Sequence, residues 1–159
     1  TGVHRGTSGS PGELRGSFTG DTTGELLINS QVGIFGTGGQ PDTALEPVPL
    51  ALRYEVVEGP ATILCTLDDK GPQEYSISIE KVSIAENNPT KNMVIRVTDP
   101  RLLEKTGGIV QGMSGSPILQ GGKLVGAVTH VFVNDPTRGY GIFAENMEKM
   151  SSSVEQRRK

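Results

Sequence analysis

Residues 112–128 read GMSGSPILQGGKLVGAV, a glycine-rich loop followed by two short apolar runs. The runs cover residues 116–120 and 123–128, and the pair Gly121-Gly122 separates them. Two apolar runs joined by two glycines are typical of a β-hairpin. The stretch therefore predicts a glycine-rich loop that leads directly into a buried β-hairpin.

Strand patterns extend through most of the chain. In the run from residue 75, Tyr75, Ile77 and Ile79 alternate with polar residues, as expected for a half-buried strand. Two short helices are predicted, one at 100–105 with Asp99 as its N-cap and one from residue 144 onward. The predicted strands outside the hairpin are 25–28, 31–35, 48–54, 61–67, 75–85 and 91–98.

Composition supports an all-β class. The 159 residues include 22 Gly and 10 Pro, about 20% together against a usual share of roughly 12%. Both residues destabilise helix interiors, so the composition argues against a helical bundle.

We predict one domain over residues 1–147 and a polar tail over 148–159. The net charge of -3 argues against nucleic-acid partners.

The loop itself holds a candidate nucleophile. Gly112 and Gly115 flank Ser114, so the hydroxyl can stand on a tight turn beside unobstructed backbone N–H groups. In acyl transfer, the amides of Gly112 and Ser114 could form an oxyanion hole. The simpler alternative is that this segment is only a flexible turn.

The same residues carry a family resemblance. Residues 112–117 resemble the nucleophile loop of trypsin-like serine peptidases, with Met113 in place of the more usual Asp. The wider pattern resembles the SpoIVB peptidase family of endospore-forming bacteria and covers most of the chain to about residue 147. The segments that carry this resemblance are 11–13, 33–36, 57–63, 97–118, 126–137 and 139–141.

The resemblance implies an all-β, trypsin-like double β-barrel that is incomplete at its N-terminus. It implies that Ser114 is the nucleophile, that Asp99 is an acidic residue acting alongside it, and that Thr129 lies in the substrate cleft. For Asp99, the role of helix cap is an equal alternative, and Asp21 or Asp42 could replace it as the orienting carboxylate. Neither a metal site nor a cofactor is expected.

The general base is not evident from the sequence. A serine hydroxyl normally needs a hydrogen-bonded histidine to take its proton, and the chain has only His4 and His130. The resemblance places the family's catalytic histidine upstream of Thr1, so we expect this chain to be inactive alone. We interpret His130 as structural, and His4 as lacking the strands that would orient its ring.

The resemblance also implies a biological setting. The expected activity is a serine endopeptidase of sporulation signalling that cleaves a membrane-associated regulatory protein, after export to the space between the forespore and mother cell membranes. Self-association, or docking of the missing N-terminal segment, is also expected. The alternatives are a non-catalytic peptide-binding or regulatory β-domain with a peptidase-like fold, and a purely structural β-sandwich.

Overall fold

A closed barrel of six strands forms the centre of the protein, in the order β10-β7-β6-β5-β8-β9. The computed structural model describes residues 2–17, 20, 22–39, 46–85 and 88–156, and side chains as far as 153. Each neighbouring pair of barrel strands is antiparallel. The strands are β5 (Gly59–Cys65), β6 (Gln73–Val82), β7 (Met93–Val97), β8 (Pro117–Gln120), β9 (Lys123–Phe132) and β10 (Asp135–Phe143).

Alternating burial explains why these segments form a barrel. On β6, Tyr75, Ile77 and Ile79 are buried, whereas the serines between them are not. The predicted alternation is therefore confirmed, and the apolar side chains face inward as the pleat of a strand requires. β-Branched side chains fill much of the interior, and the side chains of Ile63 and Ile118 have no exposed area. The all-β class predicted from the sequence is confirmed.

Four further strands form two separate two-stranded sheets. β1 (Gly2–His4) pairs with β2 (Glu13–Arg15), and β3 (Gly24–Ser30) pairs with β4 (Gly33–Gly38). The described residues thus close one barrel and add two hairpins. Much of the β3–β4 hairpin faces solvent, including Leu26 and Ile34, which are 59% and 69% exposed.

Both predicted helices are present. α1 (Pro100–Thr106) begins after Asp99, whose side chain accepts a hydrogen bond from the Arg101 amide. α2 (Ala144–Gln156) closes the described chain and continues across the predicted domain limit at residue 147. No helix within the described ranges is long and apolar enough to span a bilayer.

The predicted strand at 48–54 is wrong. These residues form irregular backbone that ends in a single 3-10 turn, Arg53–Glu55. Pro49 cannot donate to a ladder, and the segment contributes only an isolated bridge between Leu50 and Leu124. A tertiary contact defines its path instead, because the Arg53 amide donates to a Glu145 carboxylate oxygen on α2 at 2.9 Å.

Packing of the barrel interior generates the first prediction. Ile63→Ala leaves a cavity where no solvent reaches, so the free energy of unfolding should fall by about 2–5 kcal/mol. Ile34→Ala removes the same atoms from a side chain that is 69% exposed, and we expect a change within about 0.5 kcal/mol. Urea unfolding measures both. Equal losses for the two variants would contradict the assignment of Ile63 to the core.

Candidate active site

The loop of residues 107–116 joins α1 to β8 and carries Ser114. Its first glycine permits a left-handed turn, and its second permits a close backbone approach. Gly107 ends α1 with a left-handed φ of 77°, and a Cβ on Gly108 would lie 2.1 Å from the Pro136 carbonyl oxygen. The next amide, that of Ile109, donates to the same oxygen at 2.7 Å. The loop is therefore held against the start of β10 and is not a free connection.

Met113 anchors the loop in the barrel core. Its side chain is 1% exposed, and its sulfur accepts a hydrogen bond from the Val110 amide at 3.5 Å. The Met113 amide donates back to the Val110 carbonyl, and the Met113 carbonyl accepts from the Ser116 amide. Ser114 follows this buried residue directly and is exposed. An ordered turn thus presents the hydroxyl to solvent.

The N-terminal hairpin supports the loop from outside the barrel. The Leu14 amide donates to the Gln111 carbonyl, and the Gln111 amide donates to the Gly12 carbonyl, both at 2.8 Å. A Cβ on Gly112 would lie 2.9 Å from the Leu14 Cβ. Gly112 has a φ of 100°, so both its conformation and its neighbour favour glycine. Sequence reasoning missed this contact, because no local pattern links β2 to the loop.

The structure brings Ser114 and Thr129 together. The Ser114 hydroxyl donates to the Thr129 carbonyl oxygen at 2.9 Å. The Thr129 hydroxyl itself donates to the Thr90 carbonyl at 2.9 Å and lies 3.2 Å from the Tyr140 carbonyl. Thr129 therefore contacts the candidate nucleophile through its backbone, while its side chain bonds to neighbouring segments.

Two amides in the loop lack an acceptor. Within the described residues, hydrogen-bond acceptors are present for the amides of residues 107–111, 113, 115 and 116. The amides of Gly112 and Ser114 have none there. Unpaired N–H groups on either side of a buried residue are able to bind an anionic oxygen. These are the two amides that the sequence predicts for an oxyanion hole.

Asp99 is buried at the start of α1, with 4% exposure. Its carboxylate accepts hydrogen bonds from the Arg101 guanidinium, at 2.7 and 3.1 Å, and from the Ser76 amide at 3.2 Å. Chiefly because of the Arg101 hydrogen bonds, the pKa of Asp99 is lowered to about 2. None of its described partners belongs to the Ser114 loop. Its role beside the nucleophile stays a prediction.

The described structure shows no histidine bonded to Ser114. His4 is exposed on β1, opposite Glu13. His130 is exposed on β9 and borders both cavities next to Ser114. The alternative carboxylates, Asp21 and Asp42, lie outside the described residues.

Two cavities flank Ser114. A recess of about 210 Å³ lies between the loop and β9, and its lining includes Ile109 and Val131. A second cavity of about 240 Å³ lies under the β3–β4 turn and includes Asn29 and Met147 in its lining. The larger cavity of about 660 Å³, over β5, β6 and the β8–β9 turn, contains none of the candidate residues.

Competing chemistry has little support among the described residues. No group of three or more His, Cys, Asp or Glu side chains there could hold a metal ion. Burial raises the pKa of the Cys65 thiol to about 11. That thiol is therefore protonated near neutral pH and is a poor nucleophile.

Beyond Ser114, one edge of β9 is open within the described part of the chain. The register of β8 with β9 ends at the pair Pro117 and Ala127, whereas β10 pairs with β9 as far as Phe132. The described residues therefore place no strand along the other edge of β9 at residues 130–132. An open strand edge is able to accept an extended peptide.

Comparison with known proteins identifies the family of the chain. The family model of the SpoIVB peptidase, S55, matches residues 1–148. The chain belongs to the SpoIVB peptidase family. This confirms the family resemblance noted in the sequence, including the segments on either side of the Ser114 loop. A comparison with curated protein sequences gives no match.

Among solved structures, this SpoIVB-family chain is similar to Rv3671c from Mycobacterium tuberculosis H37Rv, crystallised as a mutant in an inactive form. The TM-score is 0.57 and the identity is 14% over 84% of this chain and 65% of that chain. The chain thus spans a little under two thirds of that relative. The likeness supports the predicted trypsin-like fold.

The contacts of Asp99 generate a pH prediction. Its ordinary pKa of 3.8 falls to about 2 in the folded protein, so it stabilises the fold fully above about pH 5, and this contribution is lost as the pH falls toward about 2. Asp99→Asn should therefore lower the free energy of unfolding at pH 7 by on the order of 2 kcal/mol. The difference from the unmodified chain should shrink at pH 3.

Urea unfolding at pH 7, 5 and 3 measures this dependence. Glu104→Gln, which removes an exposed carboxylate from the same helix, should change the stability by less than about 0.5 kcal/mol. A constant difference between Asp99→Asn and the unmodified chain across this pH range would contradict the electrostatic explanation.

Proposed function

We propose that the chain carries the nucleophile of a serine endopeptidase. The observation that supports this most is the exposed Ser114 hydroxyl on an anchored loop, next to the amides of Gly112 and Ser114, which have no acceptor among the described residues. In the proposed reaction, Ser114 Oγ attacks a peptide carbonyl, and the two amides donate to the oxygen as it becomes negative.

The proposed substrate is an extended polypeptide. Its backbone would add to the open edge of β9 at residues 130–132, antiparallel to the strand. Because Thr129 precedes this edge and contacts Ser114, a peptide bound there would run past the hydroxyl. In this complex the Ser114 hydroxyl would leave the Thr129 carbonyl and turn to the base.

The proposed base is a histidine from outside the 159 residues. A carbonyl oxygen such as that of Thr129 is too weak a base to take the hydroxyl proton, so a stronger acceptor is needed. The cavity of about 240 Å³ beneath the β3–β4 turn borders Ser114 and has room for an imidazole ring. The 159-residue chain alone would then react slowly.

Asp99 would act indirectly in this enzyme. It caps α1 and binds the Ser76 amide of β6, so it fixes the helix from which the Ser114 loop begins. We propose that Asp99 positions the Ser114 loop. Its contacts give no direct path to the Ser114 hydroxyl.

Family membership supports a proposal for the substrate and for the place of cleavage. The substrate would be a membrane-associated regulator of sporulation signalling, cleaved outside the cytoplasm between the forespore and mother cell membranes.

The exposed apolar side chains Leu26 and Ile34 of the β3–β4 hairpin support the proposed self-association or docking of another segment.

A second candidate function is a peptide-binding or regulatory domain without catalysis. The bond from Ser114 to the Thr129 carbonyl and the open edge of β9 favour it, since binding by strand addition needs no base. A catalytic test separates the two functions.

Reaction with a fluorophosphonate tests the nucleophile. In an N-terminally extended form of the protein, the probe should label Ser114, because it mimics the attacked carbonyl. Ser114→Ala should abolish labelling. Ser116→Ala is the matched control in the same loop and should label within about threefold of the unmodified protein, since it retains the nucleophile. Labelling of the Ser114→Ala variant would disprove the assignment.

The source of the base is tested with the same probe. The 159-residue chain should label at least about 100-fold more slowly than the extended form, because general base catalysis is missing. His4→Ala should not change either rate. If the short chain labels as fast as the extended one and His130→Ala abolishes the reaction, the base lies within the chain.

A further inference from the structure

The recess of about 210 Å³ beside Ser114 is lined mainly by aliphatic side chains. Ile109, Val110 and Val128 are each 2% exposed and form its buried part, and Val131 closes one side. No Asp, Glu, Lys or Arg side chain is among the described residues that line it. The interior therefore offers no partner to a charged group.

The polar residues around the recess lie at its mouth or are already bonded. Ser114, Gln111 and His130 are exposed. The Thr129 hydroxyl donates to the Thr90 carbonyl, which lies outside the recess. A buried charge without a partner is strongly unfavourable, and a polar group without one costs a few kcal/mol in general. The lining thus favours an apolar occupant.

Ile109 limits how deep the recess can be. A Cβ built on Gly139 would lie 2.7 Å from Ile109 Cδ1, so the δ-methyl group of Ile109 rests over the backbone of β10. Gly139 is in turn paired with Val131. The Ile109 side chain therefore closes the recess on the side of β10 and sets the size of what can enter.

We propose that this recess binds the side chain of the residue whose carbonyl Ser114 attacks, and that it selects an uncharged aliphatic side chain. This inference rests on the proposed peptidase function. The recess borders Ser114 and the open edge of β9, so a strand-added peptide places one side chain at its mouth. Its volume is below the roughly 300 Å³ of the smallest drug-sized pockets, which suits a single residue.

Peptide binding to the 159-residue chain carrying Ser114→Ala tests the selection without catalysis. Fluorescein-labelled hexapeptides would differ only at the selected position, with Val, Lys or Glu there, and would be titrated by fluorescence anisotropy. The Val peptide should bind at least about 10-fold more tightly than either charged peptide, within the range seen for apolar pockets. Equal binding, or tighter binding of Lys or Glu, overturns the proposal.

A second pair of variants tests the role of Ile109. Ile109→Val removes the δ-methyl group, so a Phe peptide should gain at least about threefold relative to the Val peptide. Ile79→Val removes the same group from a buried side chain on β6, outside the lining of the recess, and should not change the ratio. Ile-to-Val changes leave most folds intact. An unchanged ratio for Ile109→Val overturns the assignment of Ile109 as the residue that limits the size of the recess.

Fluorophosphonate labelling of the extended protein separates this inference from the proposed function, since the probe carries no side chain to fill the recess. Labelling of Ser114 without a preference for the Val peptide overturns the recess assignment and leaves the peptidase. A preference for the Val peptide without labelling supports the recess as a binding site and overturns the peptidase.

Discussion

The backbone pairing of β5 with β8 closes the barrel, and the position of Ser114 depends on it. The closure uses only two residue pairs, Thr62 with Leu119 and Ile63 with Ile118. These partners are far apart in sequence, so the chain must close a long loop before their contacts stabilise it. Because β8 starts directly after the Ser114 loop, barrel closure also fixes the end of that loop. The candidate site is therefore a product of the completed barrel.

The charged pair at the start of α1 does not line the recess beside Ser114. Asp99 and Arg101 neutralise each other at the start of α1, whereas apolar side chains such as Ile109 and Val128 surround the approach to Ser114. Amide dipoles interact more strongly with a developing negative charge in such surroundings than in water. The recess would therefore contribute to the proposed reaction in two ways, by holding a substrate side chain and by excluding water.

Local signals predicted the parts of the fold that local interactions determine. The hairpin at 116–128, the alternation from Tyr75 to Ile79 and the Asp99 cap each depend on residues close in sequence, and each is present. The strand predicted at residues 48–54 is wrong because the contact of Arg53 with Glu145 determines the path of this segment. No local sequence pattern encodes a contact 92 residues away.

The site was predictable to a similar extent. The glycines around Ser114 indicated an exposed hydroxyl with accessible amides, and those amides are unbonded within the described structure. The proximity of Thr129 came from the family resemblance, since spacing alone does not place two strands side by side. The packing of Leu14 against Gly112 was not predictable, because it joins an N-terminal hairpin to a distant loop.

Met113 explains why the Ser114 loop can be fully formed without a charged partner. An aspartate in this buried position would need a cation nearby, because an unpaired buried charge is strongly destabilising. A methionine needs only apolar contacts, and its sulfur and backbone also bind Val110 and Ser116 within the loop. The turn that exposes Ser114 is therefore stable in the described chain as it stands. In the proposed enzyme, activity would then require a base beside Ser114 and the rotation of its hydroxyl away from the Thr129 carbonyl.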